Sequence, residues 1–118
     1  MEVVFYKDAK DKEPAKEFLE KLSGEDRAKM VKSIELLAAK GNELRRPQSA
    51  ALRDKILELR CSGKDNQIRI LYFFFVGDMA VLSHGFIKKT DKVPDKEIDT
   101  AIANKKDFER RFKNVDNV

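Results

Sequence analysis

A run of apolar residues in the second half of the chain constrains its fold more than any other feature. Residues 56–89 read ILELRCSGKDNQIRILYFFFVGDMAVLSHGFIKK, which is three segments rich in β-branched and aromatic residues, separated by Ser-Gly and Gly-Asp turns. Segments of this kind, divided by turn residues, are typical of neighbouring antiparallel strands. We therefore predict a β-meander with strands at residues 55–61, 67–76 and 79–88.

Two helices are predicted ahead of the meander, after a short β-rich strand at residues 3–6. Pro14 suits the first turn of a helix over residues 14–22. The second helix begins after Ser23, a good N-cap residue, and ends at Gly41, which suits the position that follows a helix. Its buried side is predicted to be the apolar stripe formed by Met30, Val31, Ile34, Leu37 and Ala38.

The remaining segments complete an α+β fold. Residues 42–51 have no clear period and predict a basic connecting loop, and a helix of about five turns begins near Pro94, with fraying expected over residues 114–118. The predicted order is β-α-α-β-β-β-α, an antiparallel sheet packed against an N-terminal helical hairpin, with a C-terminal helix. Because the chain has 118 residues, of which 42% are hydrophobic, we expect one compact domain over residues 1–118.

Strand alternation predicts where the cations of the meander lie. Successive side chains of a strand point to opposite faces of a sheet, so on the third strand His84 and Lys88 share one face while Lys89 is on the other. One of these lysines must therefore lie on the same side as Arg60 and Arg69. The second strand is apolar on both faces, which predicts that it is the central one. Since arginine is costly to bury, this pattern indicates a cationic cleft that binds a polyanion.

The positive charge of the chain is concentrated in the same region. Residues 45–92 contain ten Lys and Arg against five Asp and Glu, whereas the whole chain has 25 against 21. A basic excess where the strands lie is an electrostatic signature of phosphate binding, and we expect RNA to be the polyanion. Two alternatives remain open, namely a chance imbalance and the pairing of the two arginines with Glu58 or Asp65. The phosphate role requires that the cations converge on one face without being tied up by carboxylates.

The composition argues against several other classes of protein. A single cysteine, Cys61, excludes an intrachain disulfide framework, and one Cys with one His cannot build a zinc site, so we expect no metal and no cofactor. Cys61 is predicted to be a small buried residue, and Tyr72 is predicted to be core rather than a base-stacking surface. The longest apolar run, residues 70–76, is too short to cross a membrane as a helix. Because no basic-then-apolar leader is seen, we expect a cytoplasmic protein.

Three segments, taken in order, resemble a known family. The segments LRDKILELR, IRILYFF and VLSHGFIKKTDKVPDKEIDTA resemble the RelE/HigB superfamily of type II toxins, in particular its phage-derived Gp49-like branch. The family pattern has a small residue before Phe, then Lys-Lys-Thr, then Pro and a helix that begins with Glu-Ile. The residues of this chain that match the pattern are Gly85, Phe86, Lys88, Lys89, Thr90, Pro94, Glu97 and Ile98.

The resemblance implies the toxin of a type II toxin-antitoxin system. Such a protein is a ribosome-dependent, metal-independent endoribonuclease that cleaves mRNA and inhibits translation. The implied partners are mRNA on the ribosome and a cognate helix-turn-helix antitoxin of the HigA kind, and the free toxin is expected to be a monomer. The alternative is a catalytically silent protein of the same fold that binds RNA or the antitoxin without cleavage, because a fold establishes a scaffold and not an activity.

The resemblance also implies roles for individual residues. Arg60 and Arg69 would hold the scissile phosphate and its developing charge. Lys88 or Lys89 would add positive charge near the leaving group, and Lys55 lies where the family often has a further catalytic lysine. Additional contacts with RNA are predicted for Arg45, Arg46, Arg53, Lys64 and Lys92.

The group that transfers protons is left open by the sequence. His84 is the only histidine and has an ordinary pKa near neutrality, which makes it a candidate on general chemical grounds. The alternatives are that His84 is a hydrogen-bonded structural residue and that a lysine or the ribosome itself supplies the general acid or base.

Overall fold

The computed structural model describes the backbone of residues 1–116 and the side chains of residues 1–112. Within this range, five strands are present, namely β1 (Glu2–Phe5), β2 (Ser49–Ala51), β3 (Leu57–Ser62), β4 (Gln67–Phe75) and β5 (Met79–Lys88). The α-helices are α1 (Pro14–Lys21), α2 (Gly24–Lys40) and α3 (Asp95–Asp116). The predicted α+β class is confirmed. The fraying expected over residues 114–118 is not seen at 114–116, because α3 continues through Asp116. Residues 117 and 118 lie outside the described residues.

The strands form one mixed sheet. Among the described residues the strand order is β1-β5-β4-β3-β2. β3, β4 and β5 pair antiparallel, which confirms the predicted meander, and β4 is the central strand, as its two apolar faces indicate. β1 pairs with β5 in parallel, so the sheet is not antiparallel throughout. Parallel pairing is possible here because the long segment between Phe5 and Met79, which contains the helical hairpin and three strands, joins β1 to β5 in place of a tight turn.

Part of the predicted loop over residues 42–51 is an edge strand. The short strand β2 pairs antiparallel with β3, and the Ser49 hydroxyl lies 2.6 Å from the Tyr72 hydroxyl. Tyr72 is fully buried, which confirms its assignment to the core. A strand of three residues is too short to show a period of two, so pattern analysis missed it.

Apolar layers cover both faces of the sheet. The hairpin face packs on α1 and α2, and its buried cluster includes Leu59, Ile70, Tyr72, Met30 and Leu37. The other side, here called the α3 face, has a buried cluster that includes Ile56, Leu71, Phe73, Val81, Ala101 and Phe108. Each Val, Leu, Ile, Phe or Met side chain of these clusters contributes about 1.5–3 kcal/mol when fully buried, so burial on both faces stabilises the sheet. Among the described residues, no helix combines the length and apolar composition that a membrane span requires.

Local hydrogen bonds define the helical hairpin. The Ser23 hydroxyl accepts a hydrogen bond from the Asp26 backbone N–H at 3.2 Å, which confirms Ser23 as the N-cap of α2. The Arg27 side chain donates to carbonyl oxygens at the end of α1 and closes that helix. Gly41 has a φ of +56°, which suits a residue that ends a helix. One position of the predicted stripe was wrong, because Val31 is 38% exposed and lies off the buried side.

A β-bulge in β5 decides which of its residues face α3. The register between β4 and β5 shifts after Leu71, which leaves Ser83 as an extra residue in β5. Ser83 and His84 both contact α3 as a result. Asn104 donates a hydrogen bond to the Ser83 hydroxyl at 2.9 Å, and Glu97 Oε1 lies 3.3 Å from His84 Nε2. The bulge therefore ties the sheet to α3 through polar contacts.

Candidate functional site

Beyond the apolar cluster under α3, the same face of the sheet ends in polar side chains. Arg60 of β3 is directly opposite Arg69 of β4, and Lys88 at the end of β5 is opposite Gln67. By strand alternation all four side chains belong to the α3 face. The structure thus brings Arg60, Arg69 and Lys88 to one side of the sheet.

A buried carboxylate lies between the two guanidinium groups. Glu58 is only 1% exposed, its Oε1 lies 2.6 Å from Arg60 Nε, and its Oε2 lies 3.7 Å from Arg69 Nε. Like charges directly opposite each other on neighbouring strands repel, and a shared anion offsets that repulsion. Of the acidic partners that the sequence left open, it is Glu58 that pairs with the arginines. The condition that no carboxylate ties up the cations is therefore met only in part, because Glu58 engages both arginines and the three charges together sum to +1.

The burial of this triad leaves hydrogen-bonding capacity unused. Arg69 is 6% exposed, and this burial lowers its pKa, although arginine stays protonated in proteins. Its Nη1 donates to the Ile68 carbonyl at 3.0 Å. Glu58 Oε2 and Arg69 Nε are both buried and have no hydrogen-bond partner among the described residues. Unpaired buried polar atoms are costly and rare, but these two face each other at 3.7 Å, so their charges offset each other without a hydrogen bond.

An open cleft adjoins Arg60. It is called the Arg60 cleft here, has a volume of about 320 Å³, and is lined by the charged residues Arg53, Glu58, Arg60, Lys88, Asp91, Lys92 and Asp95 and by a few apolar ones. The four cations outnumber the three carboxylates, and Glu58 is the most deeply buried of the anions. The cleft therefore presents positive charge toward the solvent while its negative charge is partly held below the surface.

Several predicted residues lie in or beside the Arg60 cleft. Lys88 and Lys92 line it directly, whereas Lys89 follows the end of β5 and is exposed. Arg53 lines the cleft but is engaged by acidic residues, with its Nη2 2.7 Å from Asp99 Oδ1 and 3.7 Å from Asp95 Oδ1. Lys88 and Lys92 are thus better placed than Arg53 to bind an added anion.

Other predicted residues are not brought to the cleft. Lys55 has a φ of +64° in the turn before β3 and lines a separate depression with Phe74 and Lys105. Lys55 precedes β3 at the end away from Arg60, so the structure does not bring this predicted catalytic lysine to the Arg60 cleft. The remaining cations lie elsewhere: Arg45 and Arg46 line a depression beside β2, and Lys64 is exposed in the β3–β4 turn.

His84 does not line the Arg60 cleft. The residue is 8% exposed, its Nδ1 is 2.9 Å from the Ser83 hydroxyl, and its Nε2 contacts Glu97. Burial lowers the pKa of His84, and the nearby Glu97 carboxylate only partly opposes this effect. The structure therefore favours the structural reading of His84, as a neutral link between β5 and α3, over a role in proton transfer.

Three residues of this region, Glu58, Gln48 and Gln67, were not among the predicted site residues. Glu58 was recognised only as an alternative partner of the arginines, although its ELR spacing with Arg60 places both side chains on one face. Gln48 and Gln67 line a second depression together with Arg60 and Arg69. No local sequence pattern predicts that these four residues come together.

Cys61 is buried, as predicted, and burial raises the pKa of its thiol. Within the described residues, no three His, Cys, Asp or Glu side chains cluster in a way that fits a metal ion.

The structure is thus that of a small α+β protein, with a mixed sheet and a cationic cleft at one end of that sheet. Residues 17–106 match the family model described as Phage derived protein Gp49-like. The chain therefore belongs to the Gp49-like family, which is associated with toxin-antitoxin systems. No curated protein sequence matches it.

Proposed function

We propose that this protein is the toxin of a type II toxin-antitoxin system, of the RelE/HigB kind, and that it cleaves mRNA on the ribosome as an endoribonuclease. The observation that supports this most directly is the placement of Arg60, Arg69 and Lys88 on one face of the sheet, where Arg60 and Lys88 line the Arg60 cleft. Membership of a toxin-antitoxin-associated family supports the biological role.

The main requirement of RNA cleavage at this site is positive charge that stabilises the transition state. RNA is cleaved when its own 2′-hydroxyl attacks the adjacent phosphorus, the 5′-oxygen leaves, and negative charge builds up on the pentacoordinate phosphate. In the proposed complex the phosphate lies at Arg60 and Arg69, and Lys88 adds charge near the leaving oxygen. Glu58 holds the Nε–H of Arg60 and leaves the Nη groups, which are the usual bidentate donors to phosphate, at the end of the side chain.

The Arg60 cleft supplies few groups that could transfer protons. The attacking hydroxyl must lose a proton and the leaving oxygen must gain one. His84 is buried under α3, while Lys88 lines the Arg60 cleft. We therefore propose that Lys88 is the cleft residue closest to the leaving oxygen and that the ribosome completes the proton transfers.

The test is controlled expression of the toxin with single arginine variants. Wild-type expression is expected to arrest growth and to generate new 5′ ends within translated mRNA. Arg69→Ala and Arg60→Ala are each expected to reduce cleavage by about 10²–10³-fold, the usual effect of removing a donor to developing charge. Each variant removes a partner of the buried Glu58 carboxylate, so circular dichroism must show that the variant is folded before its cleavage is compared with the wild type. Arg110→Ala, on the exposed side of α3, is the matched control and should cleave normally.

A second candidate function is supported by the charge balance of the triad. Because Glu58 offsets one of the two guanidinium charges, the site suits a protein that binds RNA or an antitoxin without cleaving RNA. In that case growth arrest would survive Arg69→Ala, and no new transcript ends would accompany it. Cleavage that depends on both arginines would rule this candidate out.

The proposed partner is a helix-turn-helix antitoxin encoded beside the toxin. The motivation is the family membership together with a cationic surface, which an acidic or apolar antitoxin segment would neutralise. Co-expression of the neighbouring reading frame should abolish growth arrest and yield a complex that co-purifies with the toxin. A neighbour that neither binds the toxin nor relieves arrest would contradict the proposal. We further propose that the free toxin is a monomer and acts in the cytoplasm.

A further inference from the structure

A second depression shares Arg60 with the cleft but has a different lining. It is called the glutamine pocket here, has a volume of about 360 Å³, and is lined chiefly by Pro47, Gln48, Arg60, Ser62, Gln67 and Arg69. None of the described residues that line it is acidic, whereas the Arg60 cleft contains three carboxylates. A group that follows a phosphate at Arg60 can therefore enter this pocket without meeting negative charge.

The backbone fixes the positions of the pocket walls. Arg60 and Ser62 lie on β3, and they are opposite Arg69 and Gln67 on β4. The Gln48 carbonyl accepts a hydrogen bond from the Arg60 backbone N–H at 2.9 Å, which holds the segment before β2 beside β3. The polar walls are thus set by strand pairing and not by a free loop.

The amide of Gln67 is oriented by its neighbours. Its Oε1 accepts from the Ser62 hydroxyl at 3.4 Å and lies 3.5 Å from Arg69 Nη2, which is the donor in that contact. Since both neighbours donate to the carbonyl oxygen, the NH₂ group of Gln67 is the part that remains for a ligand. Arg60 likewise uses its Nε–H on Glu58 and ends in donors. The pocket is therefore rich in hydrogen-bond donors.

A nucleobase has the shape and chemistry that this lining recognises. Unpaired RNA bases stack on planar guanidinium groups and are read by hydrogen bonds to their edges. A donor-rich wall matches a base that presents a carbonyl oxygen, and it opposes the exocyclic amino group of adenine. We propose that the glutamine pocket binds the base next to the phosphate held at Arg60, and that Gln67 selects a carbonyl-bearing base over adenine. This inference rests on the proposed function, because it takes RNA as the ligand.

The test measures binding rather than cleavage, so that the two proposals fail separately. Two 2′-O-methyl RNA trinucleotides, with inosine or adenosine at the central position, are titrated into the isotope-labelled full chain and followed by NMR. The methyl group blocks attack by the 2′-oxygen, and the two purines differ mainly in a carbonyl against an amino group at C6. The inosine trinucleotide is expected to bind about fivefold more tightly or better and to shift the amide resonances of Ser62 and Gln67.

Two variants make the result specific. Gln67→Met removes the amide at an exposed position and should bring the two affinities to within about twofold of each other, while phosphate contacts keep overall binding. Lys32→Met, on the exposed side of α2, introduces the same side chain elsewhere and should retain the difference. Equal or tighter binding of adenosine, a difference that survives Gln67→Met, or shifts that map away from the pocket would each overturn the inference. If the protein binds inosine selectively but does not cleave mRNA, the base-binding pocket would be supported and the proposed endoribonuclease activity would be contradicted.

Discussion

Glu58 shows how a single residue can organise a site made of like charges. Two arginines that oppose each other on adjacent strands repel, and the carboxylate between them offsets that repulsion while fixing the Nε side of Arg60. The cost is that two charged groups are almost fully buried, with Glu58 at 1% and Arg69 at 6% exposure. Buried ion pairs of this kind contribute little net stability, but removal of one partner is strongly destabilising.

Glu58→Gln is therefore predicted to destabilise the fold. The amide is isosteric but uncharged, so two guanidinium groups would face each other without an anion, and we expect the free energy of unfolding to fall by about 3 kcal/mol. The measurement is urea unfolding monitored by circular dichroism. Glu25→Gln is the matched control, since Glu25 is exposed and its pair with Lys29 spans 3.9 Å; its effect should stay below about 0.5 kcal/mol. Equal stability of the two variants would mean that Glu58 does not organise the arginines.

At the scale of elements, two contacts fix the positions of α1 and α3 on the sheet. On one face, the Phe18 ring of α1 lies directly against the backbone of Gly85 in β5. On the other, the bulge at Ser83 and His84 gives β5 a polar link to α3. Because β5 contributes Lys88 to the Arg60 cleft, both contacts also position that side of the site.

Gly85→Ala tests the contact with α1. A Cβ atom at this position would overlap the Phe18 ring, so the helix would have to move away from β5. We expect a loss of about 1–3 kcal/mol in unfolding free energy, the usual cost of overpacking. Gly24→Ala serves as the control, because no heavy atom lies within 4 Å of a Cβ built there. A loss at Gly85 no larger than that at Gly24 would contradict close packing of α1 on β5.

The link to α3 predicts a pH dependence of stability. The pKa of His84 is lowered from 6.5 in the folded protein by burial, so below that value the unfolded chain binds more protons than the folded one. Stability should therefore fall as the pH decreases from 6.5 toward the lower folded pKa, with a slope of up to about 1.4 kcal/mol per pH unit. Urea unfolding at a series of pH values measures the slope, and His84→Asn should remove the part due to His84. An identical slope in the variant would show that His84 does not titrate differently in the folded state.

For the whole molecule, the uneven distribution of charge matters more than its net value. The formal net charge is only +4, but the basic excess lies within residues 45–92, which include the strands of the meander. Folding disperses part of that excess, because Lys55, Lys64 and the pair Arg45 and Arg46 lie away from the Arg60 cleft. The cationic surface at the Arg60 cleft is thus smaller than the sequence count suggests, and we expect the proposed RNA ligand to contact it through a few phosphates only.

The small footprint predicts a shallow salt dependence of RNA binding. If two or three phosphates are neutralised, the logarithm of the affinity for a 2′-O-methyl RNA should fall against the logarithm of salt concentration with a slope of about −1.5 to −2. Fluorescence anisotropy measures this slope. Arg60→Ala should make the slope shallower by about 0.7, whereas Arg110→Ala should leave it unchanged. A slope several times steeper would show that the dispersed basic residues also bind RNA.

The sequence by itself determined the elements and their faces. Turn residues, caps and apolar periodicity are local, and they correctly predicted the meander, the central strand β4 and the helical hairpin. Strand alternation likewise predicted that Arg60 and Arg69 would each fall on a defined face. The three-residue strand β2 was beyond this kind of inference, because it is too short to carry a periodic signal.

Only the tertiary structure decided which charged groups meet. Pairing of the Glu58 carboxylate with both arginines, withdrawal of His84 under α3 and separation of Lys55 from the cleft all depend on register, a bulge and helix packing. The same is true of the glutamine pocket, whose walls come from two strands and the segment before a third. Electrostatic interactions act over a few ångströms between residues distant in the chain, so the charge state of a site is settled by packing and not by local sequence.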